Sequence, residues 1–301
     1  MRSKFSGLIL SLLALPLLAQ QDLSKVQIKT TKVAGSVYML EGAGGNIGVS
    51  VGEDGIILID DQYAPLAPKI EAALRAVSDK PVKYVLNTHW HGDHTGGNES
   101  FGKQAPIIAH TNVRKRLALG RKEPGAETPP APAAALPVIT FDDRLMIHIN
   151  GEDVRAVHYP HGHTDGDIVI FFTRSNVVHM GDHFFNGRFP FIDLGSGGSA
   201  RGLIRNVDAV IAAVPADVKV IPGHGALASL SDLKSYSAML KDTVKIVEAQ
   251  MKKGRTPAQM KSDKVLAKYE ALSWQFINTD SFIDTIHRSL SAESKVKKSG
   301  K

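Results

Sequence analysis

The chain has 301 residues, 43% of them hydrophobic and 22% charged, a balance that is typical of globular proteins and excludes fibrous or mostly disordered chains. It contains no cysteine, so disulfides and thiolate metal ligands are excluded. The formal net charge is +6. Arg2 and Lys4 contribute two of these positive charges, and the residues after Leu290 contribute a net three. The body of the chain between them therefore carries about +1, and this gives no support to nucleic-acid binding.

The first twenty residues predict a cleaved secretory signal. Arg2 and Lys4 precede an apolar run over residues 8–18, and the small residue Ala19 follows it. A positive start, a short apolar centre and a small residue near the end are typical of such signals. A membrane anchor is the alternative, but a span needs about 20 apolar residues. We therefore expect a periplasmic or secreted protein with no membrane association after cleavage.

After the signal, short apolar runs alternate with turns and predict an N-terminal antiparallel sheet. A glycine-rich loop at residues 41–46 and the turn Glu53-Asp54-Gly55 separate the first strands. Next, Ile70, Leu74 and Val77 recur at the spacing of a helix. The predicted strands of this half are residues 37–40, 47–51, 56–59 and 82–86, the last of which runs straight into His89.

The second half repeats this mixture of strands and helices. Five prolines within residues 123–137 predict an irregular loop, either a linker between two halves or a flap beside a site. An apolar stripe beginning at Leu233 and closed by Gly254, and the cap signature Thr256-Pro257, predict helices over the last seventy residues. Further elements are predicted as strands at 145–149, 154–158, 168–172, 177–180 and 218–221 and a helix at about 200–213.

The strongest functional pattern is the run His89-Trp90-His91-Gly92-Asp93-His94, directly after a buried strand. Neutral imidazole and carboxylate are zinc ligands, and a catalytic zinc keeps one position for water. In an extended segment, His89 and His91 project to the same side and can share one ion. Gly92 lets the backbone turn, which could direct Asp93 and His94 at a second ion.

Three later positions each place one candidate ligand on a glycine-containing turn at the end of a predicted strand. They are His163 in Gly-His-Thr, Asp182 in Gly-Asp, and His224 in Pro-Gly-His-Gly. Strand ends are the usual location of sites in layered α/β proteins. Each of these positions alone is a weak signal, and their repetition after the first cluster predicts one shared metal site.

The order of these four motifs resembles the metallo-β-lactamase-fold hydrolases over about residues 28–230. The resemblance implies a layered α/β fold, a four-layer αβ/βα sandwich, with two metals at one edge of its paired sheets. It further implies that His89, His91 and His163 hold a first zinc, that Asp93, His94 and His224 hold a second, and that Asp182 bridges them. We thus expect a signal over residues 1–20, a catalytic domain over 21–230 and a C-terminal helical extension over 231–301.

The resemblance also implies a reaction. A water between the two Zn²⁺ ions would be deprotonated near neutral pH and attack a carbonyl carbon, and Asp93 would orient it as a catalytic residue. An aspartate at position 182 is similar to the glyoxalase II group, whereas some β-lactamases of this fold carry cysteine there. We expect hydrolysis of an ester, thioester or amide of a small molecule, with β-lactams included among the candidates.

Several other residues are candidates for supporting the ligands or contacting substrate. Asp60, Asp165, Asp167 and His161 could support the ligand loops, and His183 could line the pocket. Arg188 could pair with a substrate carboxylate or be a solvated charge. The substrate-contacting candidates are residues 42–48, Tyr63, Trp90 and the loop 184–199. The other histidines, His110, His148, His158, His179 and His287, are interpreted as structural or surface residues.

Three alternatives stay open at this point. A mononuclear iron enzyme of the persulfide dioxygenase kind shares much of the ligand pattern, and one iron per chain would identify it. A metal-dependent nuclease of the same fold would cut RNA or DNA, although the signal and the near-neutral body oppose it. A non-catalytic metal-binding protein would show no turnover with its metals bound. The substrate, the native metal and the oligomeric state are not determined by the sequence.

Overall fold

The computed structural model describes residues 22–121 and 127–299, so the predicted signal lies outside the described residues. Seven strands form the first sheet, in the spatial order in which they follow one another along the chain. The first four are antiparallel and the remaining neighbours are parallel. These strands are β1 (Lys29–Ala34), β2 (Val37–Glu41), β3 (Ile47–Gly52), β4 (Gly55–Ile59), β5 (Val82–Leu86), β6 (Ile107–His110) and β7 (Ile139–Phe141).

Six strands form the second sheet, in the order β13-β12-β11-β10-β9-β8. In this sheet β11 and β12 are parallel, and the other neighbouring strands are antiparallel. The strands are β8 (Arg144–Ile149), β9 (Glu152–His158), β10 (Ile168–Phe172), β11 (Val177–His179), β12 (Lys219–Ile221) and β13 (Ala228–Ser229). The helices of the described chain are α1 (Ala67–Val77), α2 (Gly92–Thr95), α3 (Asn98–Phe101), α4 (Thr111–Leu119), α5 (Ala200–Ala213), α6 (Leu230–Lys252), α7 (Pro257–Ser262) and α8 (Thr279–Ser299).

Alternation along the strands sorts their side chains into separate apolar layers. In β4, Ile57 and Ile59 face the second sheet, and in β10 Ile168 and Ile170 meet them from the other side. Ile56 and Leu58 of β4 instead pack against α1. Val169 and Phe171 of β10 pack towards α5, α6 and α8. The layers therefore run helix, sheet, sheet, helix, which is the αβ/βα sandwich predicted from the sequence.

The C-terminal helices belong to the same apolar layer as the outer face of the second sheet. Leu233 and Val247 of α6 and Phe282 and Ile286 of α8 are buried there. Each such side chain contributes about 1.5–3 kcal/mol by leaving water. The predicted cap at Thr256 is confirmed, because its side chain accepts from Gln259 N at the start of α7. None of the described helices has the length and apolarity needed to cross a membrane.

Several elements were not predicted, and each has a physical reason. Strand β1 carries an exposed, lysine-containing face, so it lacks the apolar run of a buried strand. Strand β7 has three residues and is too short for periodicity to register. Residues 127–137 contain only a single 3-10 turn, Ala133–Ala135, as expected for the proline-rich loop, while residues 122–126 of that loop lie outside the described residues.

His110 and His158 form a stacked pair away from the predicted ligands, with ring centres 3.7 Å apart. His110 caps α4, since its Nδ1 accepts from Asn112 N at 3.1 Å, and its Nε2 donates to Asp142 O. Acceptance at Nδ1 requires the neutral ring, whereas the Nε2–H can donate from either form. Burial, and then the neighbouring His158 imidazole, lower the pKa of His110 to about 4.

This pair predicts a pH-dependent stability. Because the folded pKa of His110 lies below the ordinary value of about 6.5, its stabilising contribution is present above pH 6.5 and is lost as the pH falls towards about 4. The free energy of unfolding should decline through this histidine by at most about 1.4 kcal/mol per pH unit. Urea unfolding of the parent and of His110→Asn, which keeps a capping side chain, measures it. If the free energy of unfolding falls equally steeply with decreasing pH in the two proteins, His110 is not the group responsible.

Candidate metal centre

The seven predicted ligands all lie at one edge of the paired sheets, on loops that follow strand ends. His89 follows β5, and the short helix α2 then carries Asp93 and His94. His91 is the residue directly before α2, His163 lies between β9 and β10, and Asp182 and His224 follow β11 and β12. Gly92 does not have a left-handed φ, and a Cβ there would meet no atom within 4 Å, so the turn at this position does not depend on glycine. The start of helix α2 makes the turn instead.

The first donor set comprises His89, His91, His163 and Asp182, whose ligand atoms all lie within 4.8 Å of one another. His91 Nδ1 lies 3.1 Å from His89 Nε2 and 2.8 Å from His163 Nε2. Asp182 Oδ2 lies 3.8 Å from His89 Nε2 and 3.5 Å from His163 Nε2. The three imidazoles and one carboxylate oxygen therefore surround a single point.

The second donor set comprises Asp93, His94 and His224, also within 4.8 Å of one another. His224 Nε2 lies 3.4 Å from Asp93 Oδ2 and 3.4 Å from His94 Nε2. The other oxygen of Asp182, Oδ1, lies 3.1 Å from His94 Nε2 and 3.4 Å from His224 Nε2. Asp182 thus presents one carboxylate oxygen to each set.

Hydrogen bonds on the outer side of the rings select the nitrogen that faces inwards. His94 Nδ1 lies 2.7 Å from Asp60 Oδ2, and His91 Nε2 lies 3.0 Å from Asp193 Oδ2. His163 Nδ1 lies 2.8 Å from the carbonyl oxygen of Phe191. Because these oxygens only accept, the facing nitrogens carry the protons. The inward nitrogens are left with lone pairs, as in the carboxylate–histidine arrangement of metal sites.

Burial and charge act on the ionisable groups in opposite directions. Burial raises the pKa of Asp182, but the surrounding imidazoles, His224 and His94 foremost, outweigh it and hold the pKa well below its ordinary value. Burial lowers the pKa of His89 far below 6.5. For His224, burial lowers the pKa, but Asp182 and Asp93 raise it to about 9. The shifts favour the ionised form of Asp182 and the protonated form of His224. The cluster therefore holds charges of both signs close together.

These residues fit a pair of divalent ions. Ligand atoms on a tetrahedral zinc, with bonds of about 2.0–2.1 Å, lie roughly 3.3 Å apart, and the contacts within the two sets bracket that value. Asp182 Oδ1 is buried without a hydrogen-bond donor in bonding geometry, as expected for an atom meant for a cation. Nitrogen and oxygen donors without thiolates suit zinc, and they also suit iron.

A cavity of about 730 Å³ opens over the cluster. Its lining includes the predicted residues Tyr63 and Arg188 and parts of the glycine-rich loop before β3. Burial, and then Asp93, raise the pKa of Tyr63 to about 12, so its hydroxyl keeps its proton. Trp90 does not line this cavity, being buried against the α4 region with Val113.

Of the predicted supporting residues, Asp60 and Asp167 contact the ligand loops. Asp60 accepts from the Thr88 N–H and hydroxyl, both at 2.7 Å, in addition to its contact with His94. Asp167 accepts from Thr164 N at 2.8 Å, next to His163. Asp165 instead pairs with Arg116.

The two histidines considered as supports lie elsewhere. His161 is exposed and lies 3.1 Å from the Gly197 carbonyl oxygen through Nδ1. His183 is buried beside Asn206. It is not one of the described residues that line the cavity over the cluster. Neither therefore reaches the ligand cluster directly.

Sequence reasoning did not name Arg121 and Trp274, and it included Asp193 and Phe191 only as members of the loop 184–199, without a role of their own. Asp193 orients His91 although they are 102 positions apart. Arg121, Phe191 and Trp274 line the cavity. No motif marks them, because each reaches the site through the tertiary fold alone. The aromatic residues Trp274 and Phe276 on either side of Gln275 lie in the non-helical segment between Leu272 and Thr279.

A sequence model of the metallo-beta-lactamase superfamily matches residues 35–227. The chain therefore belongs to the metallo-beta-lactamase superfamily, in agreement with its layered fold and its histidine and aspartate cluster.

Curated relatives share part of this region. Lactamase-like protein aptB of Emericella nidulans is 27% identical over 148 residues, which are 49% of this chain and 42% of that protein. Atrochrysone carboxyl ACP thioesterase of Aspergillus terreus is 25% identical over 165 residues, 54% of this chain and 46% of that one. Hydroxyacylglutathione hydrolase of Rhodospirillum rubrum is 30% identical over 145 residues, 48% of each chain. The chain thus spans less than half the length of these relatives.

Solved structures share the fold. The metallo-beta-lactamase from Pontibacter korlensis superposes with a TM-score of 0.58 at 19% identity, covering 71% of this chain and 99% of that one. The DIM-1 metallo-beta-lactamase superposes with a TM-score of 0.59 at 16% identity, covering 72% and 99%. Identities this low establish the common fold alone, so the reaction has to be argued from the site.

Proposed function

We propose that the chain is an exported dinuclear zinc hydrolase that cleaves a thioester or related acyl bond of a small molecule. The observation that carries this proposal is Asp182, whose two oxygens face two separate donor sets, the first mostly buried and the second partly buried. Zinc bound in such sites lowers the pKa of a bound water to about 7 and polarises a carbonyl. The names of two relatives, a thioesterase and a hydroxyacylglutathione hydrolase, support thioesters as the first substrates to test.

The chain's own residues would bind, orient and move protons around that reaction. For Asp93, burial raises the pKa, but His94 and His224 lower it to about 2, so its carboxylate is an acceptor throughout the neutral range. It lines the cavity and can hold a proton of the attacking water through a carboxylate oxygen. Tyr63 keeps its hydroxyl proton and lines the same cavity, so it can donate to a substrate oxygen.

Metal analysis and chelation test the proposal together. Protein purified without added metal should contain about two zinc ions per chain. It should release thiol from N-acetylcysteamine thioesters, lose that activity after dialysis against a chelator, and regain it with zinc. If the protein instead contains one iron per chain and consumes oxygen when a persulfide is added, the hydrolase proposal is wrong and the persulfide dioxygenase alternative is supported. Cephalosporins in the same assay test the narrower prediction, because inertness towards all of them removes β-lactams from the substrates.

Export is part of the proposal and is supported by the pattern of residues 1–20, which lie outside the described residues. Mass spectrometry of the native protein's N-terminus tests it. A mature chain beginning close after Ala19 is the expected result, and an intact N-terminus on cytoplasmic protein would refute export without affecting the site.

A further inference from the structure

Arg188 lies on the loop after β11, and this loop is firmly anchored. Phe185 and Phe189 on either side of it are fully buried. Phe189 N donates to the Leu272 carbonyl oxygen at 2.9 Å, which ties the loop to the segment between α7 and α8. The half-buried Arg188 therefore has a well-defined place on the wall of the cavity.

Trp274 holds the guanidinium of Arg188 at that wall. The Arg188 guanidinium carbon lies 5.2 Å from the centre of the Trp274 ring, within the range of a cation–π contact. Trp274 Nε1 donates to the Phe189 carbonyl oxygen at 2.9 Å, which fixes the indole. The ring also lies 6.3 Å from that of His224, so the pair borders the metal centre.

Within the described chain, Arg188 lacks the carboxylate partner that Arg116 and Arg201 have. Arg116 pairs with Asp165 at 2.7 Å, and Arg201 pairs with Glu293 at 2.9 Å. In the part of the chain that the structure describes, no carboxylate lies within ion-pair distance of the Arg188 guanidinium, which also donates no hydrogen bond there. Its donors therefore remain available to a ligand.

Two cavities meet at this arginine. Arg188 and Phe185 line both the cavity over the ligand cluster and a second one of about 390 Å³ beside α6. The rim of the first carries the aromatic rings of Phe191 and Phe276, which are 37% and 64% exposed. A substrate reaching from the metal centre past these rings meets a cation with open donors.

We propose that Arg188, held on Trp274, binds a carboxylate carried by the acyl substrate, and so makes the enzyme selective for acidic acyl compounds. This inference rests on the proposed function. The planar guanidinium offers two parallel donors, which match the planar shape and single charge of a carboxylate. Trp274 is a positioning residue. It lies beyond residues 35–227 that match the superfamily, whereas Arg188 lies within them, so the C-terminal segment contributes the support of the guanidinium.

Pairs of thioesters that differ only in the carboxylate test the proposal. The zinc-loaded protein is assayed with N-acetylcysteamine thioesters of dicarboxylic acids from succinic to suberic, each against its neutral monoamide analogue. For the best-fitting length, kcat/KM should favour the acid by roughly 10- to 100-fold, the range expected of a charge-assisted bidentate contact. In Arg188→Gln this preference should fall to near unity through a higher KM.

Two further variants sharpen the result. Arg188→Lys should keep part of the preference, because it retains the charge but not the paired donors. Arg144→Gln, at an exposed position on β8, is the matched control and should keep the full preference. Equal kcat/KM for acid and amide at every length in the parent protein, or an undiminished preference in Arg188→Gln, would overturn the proposal.

Binding of the products separates this proposal from the proposed function. If no thioester is hydrolysed, the proposed function fails, and calorimetry on the same zinc-loaded protein still compares each dicarboxylate with its monoamide. Both ligands offer one carboxylate to the metals, so tighter binding of the dicarboxylate that disappears in Arg188→Gln supports the carboxylate subsite. Equal binding of the two ligands in the parent overturns it.

Discussion

Asp182→Asn is expected to lower kcat/KM for thioester hydrolysis by about 10²- to 10³-fold and to reduce bound zinc from about two ions per chain to one or fewer. Among the described residues, Asp182 has one oxygen facing each donor set. A catalytic metal contributes several kcal/mol of charge stabilisation in the transition state, and each 1.36 kcal/mol is tenfold in rate. Thiol release and elemental analysis on the same sample measure both effects.

Asp61→Asn is the matched control for this variant. Asp61 is also fully buried near the site and accepts from Gly97 N. Burial, and then the charge of Asp60, raise the pKa of Asp61 well above its ordinary value, which favours the uncharged form, and asparagine is uncharged and of similar shape. Zinc content and activity should stay near those of the parent. Full activity with two zinc ions in Asp182→Asn would contradict the bridging role.

Asp60→Asn is expected to weaken zinc binding at the second donor set by about 10- to 100-fold, the usual effect of losing a partner behind a metal-binding histidine. Asp60 only accepts from His94 Nδ1, at 2.7 Å. An amide can donate to that nitrogen instead, which moves the ring proton to Nε2, the atom that faces Asp182. The lone pair needed for a metal would then be lost.

Competition with a chromogenic chelator measures the loss, with the same Asp61→Asn protein as the control. Thr88 also uses Asp60 as its acceptor, through its N–H and its hydroxyl, so urea unfolding of the metal-free proteins is run alongside. A lower free energy of unfolding in the metal-free Asp60→Asn protein would indicate a loosened loop. Unchanged stability together with weaker zinc binding would indicate a changed tautomer of His94. Unchanged affinity at both sites would show that Asp60 does not set the His94 tautomer.

The ligand cluster was readable in the sequence because its signals are local. His89, His91, Asp93 and His94 stand within six residues after a strand, and the later ligands repeat the pattern of a strand followed by a glycine turn. All seven predicted positions converge in the structure. Asp60 could be named as well, because it ends a strongly apolar strand next to the one that carries His89.

The residues that the sequence did not reveal are joined to the site only by distant parts of the chain. Asp193 touches His91 across 102 positions, and Trp274 bonds to Phe189 across 85. Such contacts leave no periodic pattern. For Arg188 the sequence left two interpretations open, a partner for a substrate carboxylate and a solvated loop charge. Its contact with Trp274 and its lack of an ion pair among the described residues depend on the fold.

By itself, then, the sequence determined the layered class of the fold and the composition of the candidate metal site, because strand periodicity and ligand spacing are properties of neighbouring residues. The tertiary structure decided which oxygen of Asp182 faces which donor set, which acceptor orients each imidazole, and which aromatic residues wall the cavity. These depend on side chains brought together by packing of the two sheets and the C-terminal helices, and that packing is not encoded in any short segment.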